Sequence, residues 1–150
     1  MRHWVLQSAG TLLLCVHAQA APAFTDRGVQ VLHSHDSGYV VQWSEPGPVA
    51  VLVSARPDAK LSDMRLLARN DRDLKLHTRL PDIQRPYFAL RAADGSIYRT
   101  AERLLPLKQG SNFRDLGGYP AAGGKHVRWG LLYRSAAMPN LADADYDYLS

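Results

Sequence analysis

Three stretches of this chain hold residue types that could do chemistry. The first, residues 110–135, reads GSNFRDLGGYPAAGGKHVRWGLLYRS and sets glycines beside Lys125. A glycine-rich loop cradles phosphate when it has the form Gly, four residues, Gly-Lys-Ser/Thr, because the backbone amides and the lysine then converge on the anion. Gly118 and Gly123 keep the four-residue gap, but Gly124 stands where the lysine belongs, and Lys125 is followed by His126. The register fails twice, so no Walker-type site is expected. The second stretch is His33-Ser34-His35-Asp36. Imidazoles at i and i+2 share one face of a strand, yet only Asp36 lies near them, and a polar turn is expected rather than a metal site. The third is Asp143-Ala144-Asp145-Tyr146-Asp147. A calcium loop needs glycine at its sixth position, where Tyr148 stands. An aspartyl-phosphate nucleophile would sit on a strand and be followed by Thr or Val, where Asp147 stands. Acidic residues in a first helical turn, complementing the helix dipole, are the expectation. No cofactor and no metal is expected.

Sulfur chemistry depends on the N-terminus. Arg2 and His3 precede a mostly apolar run from Val5 to Val16, followed by Ala18-Gln19-Ala20 and Ala21-Pro22-Ala23. That is the layout of an export signal, too short to span a bilayer comfortably. Residues 1–23 are expected to be a signal peptide cleaved near Ala20 or Ala23, giving a periplasmic or secreted product with no stable membrane anchor. A lipoprotein site would need a small residue before Cys15, and Leu14 is there. Cys15 is the only cysteine, so the mature chain would contain no disulfide, thiolate ligand or sulfur nucleophile.

Composition narrows the partners. The chain has 150 residues, 46% hydrophobic, with 9 prolines, 11 glycines and a net charge of +4, enough for one ordinary domain or two very small ones. Acidic residues alternate with arginines and no basic block appears, so no nucleic-acid partner is expected.

The elements that would position any site begin with a β-rich region, residues 24–106. Runs at 29–32, 39–43, 49–53, 64–68, 74–78 and 87–92 carry alternating, β-branched or aromatic residues. Turn signals separate them at 36–38, 45–48, 56–58, 70–71 and 94–95, and Asp94-Gly95 suits a tight hairpin. Six or seven strands at this spacing predict an antiparallel sandwich. Trp43 ends an apolar strand and is expected to plug the space between the sheets. Tyr87 opens a strand just after Leu80-Pro81, where its hydroxyl can return to the preceding backbone. Together these features resemble a fibronectin type III or related immunoglobulin-like module, which implies packing or binding rather than chemistry.

In the region 107–150, Pro120 and Gly123-Gly124 punctuate a hairpin whose return strand is expected from Val127 to Tyr133. A helix follows, with Asn140 as its cap, Asp143 reaching back to the cap amide, and Leu141, Tyr148 and Leu149 on one face. Asn112-Phe113-Arg114-Asp115-Leu116-Gly117-Gly118, then Gly130, Tyr133-Arg134-Ser135 and a helix with Leu141, Asp145 and Leu149, resembles the start of a bacterial tyrosine-phosphatase catalytic domain.

The resemblance implies phosphate-monoester hydrolysis through a cysteinyl-phosphate formed on a His-Cys-x-x-Gly-x-x-Arg loop. It also implies a phosphorylated protein or small phosphate monoester as partner of a complete member. Asn112, Phe113, Arg114, Asp115, Gly117 and Gly118 would shape and brace the site, with Arg134 and Ser135 near its rim. Residues 1–150 contain no Cys-x-x-Gly-x-x-Arg, so no catalytic residue is assigned and no activity is expected of these residues alone. The fold expected is mainly β: an immunoglobulin-like sandwich, then the first hairpin and helix of an incomplete α/β phosphatase domain in a truncated sequence. The sandwich would contact the catalytic domain or another protein. A stand-alone exported β-sandwich binding module without enzymatic activity stays open as the alternative.

Overall fold

The computed structural model describes residues 28–34, 38–44, 47–70, 72–138 and 140–150. The segment 1–23 expected to be an export signal, His35 and Asp36, and the turn residues Ser37, Glu45, Pro46 and Asp71 lie outside the described residues.

Seven strands account for the first two thirds of the described chain: β1 (Val29–Ser34), β2 (Gly38–Trp43), β3 (Val49–Ser54), β4 (Arg65–Asn70), β5 (Lys75–Thr78), β6 (Tyr87–Ala92) and β7 (Ile97–Ala101). They form two antiparallel sheets, ordered β1-β2-β5 and β4-β3-β6-β7. The chain crosses from one sheet to the other between β2 and β3, back for β5, and returns for β6 and β7. Six of these strands fall on the runs read from the sequence. β7 is an addition, delivered by the hairpin at Asp94-Gly95: Gly95 has φ 86° and Asp94 Oδ1 accepts the Ser96 amide at 2.8 Å.

Alternation builds the core. On β2, Tyr39, Val41 and Trp43 turn inward while their neighbours stay half-buried. They meet Val29 and Val31 of β1, and Val49, Val51, Val53, Phe88 and Leu90 of the facing sheet. Trp43 is 3% exposed and sits in this cluster, as its sequence position implied. β3 has apolar residues on both faces because both are covered. Its outward Ala50 and Leu52 pack with Ala59, Met64 and Ala89, the first two from the segment that follows β3.

Tyr87, at the start of β6, packs away from the core between the sheets. It is buried, but on the outer face of its sheet, in a cluster with Ala101 and Trp129 and under the Arg85 guanidinium. Its inward neighbour Phe88 takes the core position. Tyr87 is thus an anchor for the chain that follows the sandwich, and burial pushes its hydroxyl up to about 12.

The exit from β7 ties the sheet edges together. His33 Nδ1 on β1 lies 3.8 Å from Glu102 Oε2, and the His33 ring stacks on Tyr39. Burial raises Glu102 from 4.5 to about 7, against the opposing pull of Arg85 and a hydrogen bond with His33. A carboxyl whose folded-state pKa is raised favours folding most when protonated, so its contribution is full below about pH 4.5 and is lost as the pH rises through about 7. Glu102→Gln, neutral throughout, should flatten the decline in stability across that window. Urea midpoints at both ends of the window check this; equal slopes in the two proteins would refute it.

Candidate functional site

Past β7 the chain forms two short ribbons and one helix. β8 (Arg114–Asp115) pairs with β11 (Tyr133–Arg134), β9 (Pro120–Ala121) pairs with β10 (Lys125–His126), and α1 spans Asp143–Leu149. The return strand expected from Val127 to Tyr133 is broken. The hairpin continues through Gly118 N to Val127 O and Val127 N to Tyr119 O, then turns at Trp129–Leu131, where Gly130 adopts φ 77°. The chain comes back to β8 only at Tyr133.

Register assigns the faces of the β8–β11 ribbon. Asp115 stands opposite Tyr133, and Arg114 opposite Arg134. Successive side chains on a strand point to opposite faces, so Asp115 and Tyr133 share one face while Arg114 and Arg134 share the other.

The inner face centres on Asp115, which is 0% exposed. Its Oδ1 accepts the Gly117 amide at 2.7 Å, and its Oδ2 accepts the Gly130 amide at 2.8 Å and Arg85 Nη2 at 2.5 Å. Arg85 Nη1 donates to the Tyr133 hydroxyl at 2.6 Å. The guanidinium lies over the rings of Tyr87 and Tyr133, 5.1 and 5.3 Å from their centroids. Burial disfavours the Arg85 charge, but Tyr87, Tyr133 and Asp115 outweigh it and raise its pKa. A charge taken out of water must be compensated this fully, or folding would be heavily opposed.

Trp129 closes the node. Its Nε1 donates to the Arg99 carbonyl of β7 at 3.2 Å. A Cβ on Gly117 would overlap the indole, and one on Gly118 would come within 2.9 Å of it, so the glycine pair is required by the close approach of this ring. Arg103 covers the other side. Its guanidinium lies 4.2 Å from the Tyr119 centroid and 4.8 Å from that of Trp129, and it donates to the carbonyls of Asp115 and Gly117 at 3.1 and 2.7 Å. Phe113 stacks on Tyr133 with centroids 5.1 Å apart.

The outward face is cationic. Asn112 has φ 54°, and its Oδ1 accepts Arg114 Nε at 2.6 Å. Arg134 and Ser135 are exposed. Like charges directly opposite on a ribbon repel, and an oxyanion between Arg114 and Arg134 would relieve that repulsion.

A second buried carboxylate, Asp145, fixes the helix. It accepts the amides of Lys108, Gln109 and Ala142 at 2.5, 3.0 and 3.1 Å. Burial pushes its pKa up, but these three amides outweigh burial and hold it below the usual value. The helix therefore starts at Asp143 with Ala142 as its cap residue, and Asp145 is the residue that reaches back. The expected Asn140 cap and Asp143 contact are corrected accordingly. Tyr148 and Leu141 are half-buried and Leu149 is exposed, so the expected apolar face is only partly covered.

Of the residues singled out by sequence, Asp115, Gly117 and Gly118 meet at the buried node, with Phe113 against its edge. Asn112, Arg114 and Arg134 lie on the outward face, and Ser135 follows them. The reading missed Arg85, Arg103, Trp129 and the anchoring role of Asp145. No local signal marks Arg85 or Arg103, whose partners lie on other segments. The Gly117-Gly118 pair with Trp129 downstream is the visible hint of a ring needing room. Among the described residues no group of three or more His, Cys, Asp or Glu side chains could hold a metal ion. A cleft of about 590 Å³ between β7 and the β9–β10 hairpin has apolar walls, including Tyr98, Val127 and Trp129, and includes only Gly118 of the expected residues.

Residues 105–150 match the family model described as the tyrosine phosphatase family. The match covers the last third of the chain, including both faces of the β8–β11 ribbon. It supports a phosphatase-type function directed at phosphorylated substrates. No match was found among curated proteins or among solved structures.

Proposed function

We propose that this chain is the N-terminal part of an exported protein-tyrosine or dual-specificity phosphatase. In this reading residues 1–23 are a cleaved signal, 24–106 a fibronectin type III or immunoglobulin-like sandwich, and 107–150 the start of the catalytic domain. The observation that carries it is the match at 105–150, with its Asn-Phe-Arg-Asp-Leu-Gly-Gly stretch folded around Asp115. The strand orders β1-β2-β5 and β4-β3-β6-β7 support the sandwich assignment.

The residues present divide the work. Asp115, Gly117 and Gly118 brace the loop. Arg114 and Arg134 offer cationic hydrogen-bond donors to phosphoryl oxygens, the interaction that stabilises charge in phosphoryl transfer. The step that breaks the P–O bond needs a thiolate of lowered pKa and a loop of amides around the phosphoryl group. That chemistry falls to a His-Cys-x-x-Gly-x-x-Arg loop, which residues 1–150 do not contain.

The test is hydrolysis of p-nitrophenyl phosphate by the 150-residue chain and by a version extended through such a loop. The short chain should show no turnover above background, and the extended one clear turnover abolished by replacing the loop cysteine. Turnover by the short chain that survives repurification and Arg114→Ala would overturn the mechanism. Export is checked on the same preparations by mass spectrometry: the mature N-terminus should lie near Ala21 or Phe24, and an intact Met1 on secreted protein would rule it out.

A further inference from the structure

The node around Asp115 draws its cation from outside the segment that matches the phosphatase family. Arg85 lies in the loop between β5 and β6, 30 residues before Asp115 and 48 before Tyr133. We propose that Arg85 is a positioning residue for the 105–150 segment, so that the sandwich is a structural part of the site rather than a detachable leader. Its meaning for phosphate binding rests on the phosphatase reading; the coupling itself does not.

The planar fork of one guanidinium makes two different contacts here. Nη2 holds the Asp115 carboxylate, which in turn holds the Gly117 and Gly130 amides. Nη1 holds the Tyr133 hydroxyl, one residue from Arg134. Both strands of the β8–β11 ribbon are therefore pinned from the inner face, and the register fixes how Arg114 and Arg134 stand on the outer face. The neighbouring cation cannot substitute, because Arg103 is committed to the carbonyls of Asp115 and Gly117. Without Arg85, a fully buried carboxylate keeps two amides and no counter-charge. The cheapest relief is to open the loop to water, since a buried charge stripped of its partner is strongly disfavoured. That opening would release Gly117 and Gly130 and free the ribbon to shift. Lysine would restore the charge but not the fork, since an ammonium is a point donor.

The experiment is amide hydrogen exchange on the full 150-residue chain, comparing the native protein with Arg85→Gln and Arg85→Lys. In Arg85→Gln the Gly117 and Gly130 amides should exchange about tenfold faster or more, while Val41 and Val51 in the sandwich core stay within about twofold. Arg85→Lys should fall between the two. Unchanged exchange at Gly117 and Gly130 overturns the proposal. So does an equal rise at Val41 and Val51, which would make Arg85 an element of general stability only. If Arg85→Gln fails to fold, the same comparison is read from Arg85→Lys, where an intermediate local rise supports the proposal and none overturns it. No reading here uses turnover, so an inactive extended protein would sink the phosphatase reading and leave this one standing. Unchanged exchange in a chain whose extended form is active would do the reverse.

Discussion

Replacing Asp115 by alanine should cost about 3–5 kcal/mol of folding stability, the range for breaking a buried ion pair by removing one partner. The substitution leaves the Gly117 and Gly130 amides without their acceptor and Arg85 without its counter-ion. The adjacent residue provides the control. Arg114 is hydrogen-bonded to Asn112 two positions away, at the surface, so Arg114→Ala should cost at most about 1 kcal/mol. Two neighbouring charges that read as one motif should thus behave in opposite ways. Urea denaturation of the 150-residue chain, followed by tryptophan fluorescence, decides it. A loss below about 1 kcal/mol for Asp115→Ala would mean that the carboxylate is solvated.

Trp43→Ala should be comparably severe, about 3–5 kcal/mol, because a large ring leaves a cavity that two packed sheets cannot fully close. Trp43 sits opposite Val29 in the β1–β2 register and belongs to the cluster shared by both sheets. Leu32, from the same β1 strand but 52% exposed, is the control, and Leu32→Ala should stay within about 0.5 kcal/mol. The two severe substitutions should differ in kind. Trp43→Ala lowers the unfolding midpoint for every probe, whereas Asp115→Ala should first loosen the region after residue 104. If Trp43→Ala and Leu32→Ala proved equally mild, the core assignment would be wrong.

Local physics explains what could be read in advance. β1 to β6 announce themselves because alternation and turn residues act over a few positions, and the core position of Trp43 follows from the parity of β2. Which of Tyr87 and Phe88 points into the core is not legible, because both are large aromatic residues on a strand covered on both faces. The return strand differs from the expected one because Val127 to Tyr133 is mostly apolar and reads as a continuous strand, while the Trp129 ring lodges against Gly117 and the chain turns at Gly130. The helix start moved from Asn140 to Ala142 because amides of Lys108 and Gln109, far away in sequence, compete for Asp145. In the site, the residues of the Asn112–Gly118 motif were legible as a group. Their division into an inward brace and an outward cationic face required the β8–β11 register, and their counter-ion required the whole sandwich.

The bond between Arg85 and Asp115 also sets an order of events. Synthesis runs from the N-terminus, and Arg85 emerges 30 residues before the aspartate it will neutralise. The sandwich relies on pairings between distant strands, such as β2 with β5 and β3 with β6, and such non-local closures are slow because loop entropy is lost before contacts repay it. Until β6 and its preceding loop are seated, Arg85 has no fixed position, and Asp115 has nowhere dry to go at acceptable cost. The tail therefore waits on the sandwich. A substitution that slows sandwich closure, even one buried in β2 and remote from every phosphatase-like residue, should prolong the interval in which Trp129, Leu131 and Leu132 are open to unwanted association.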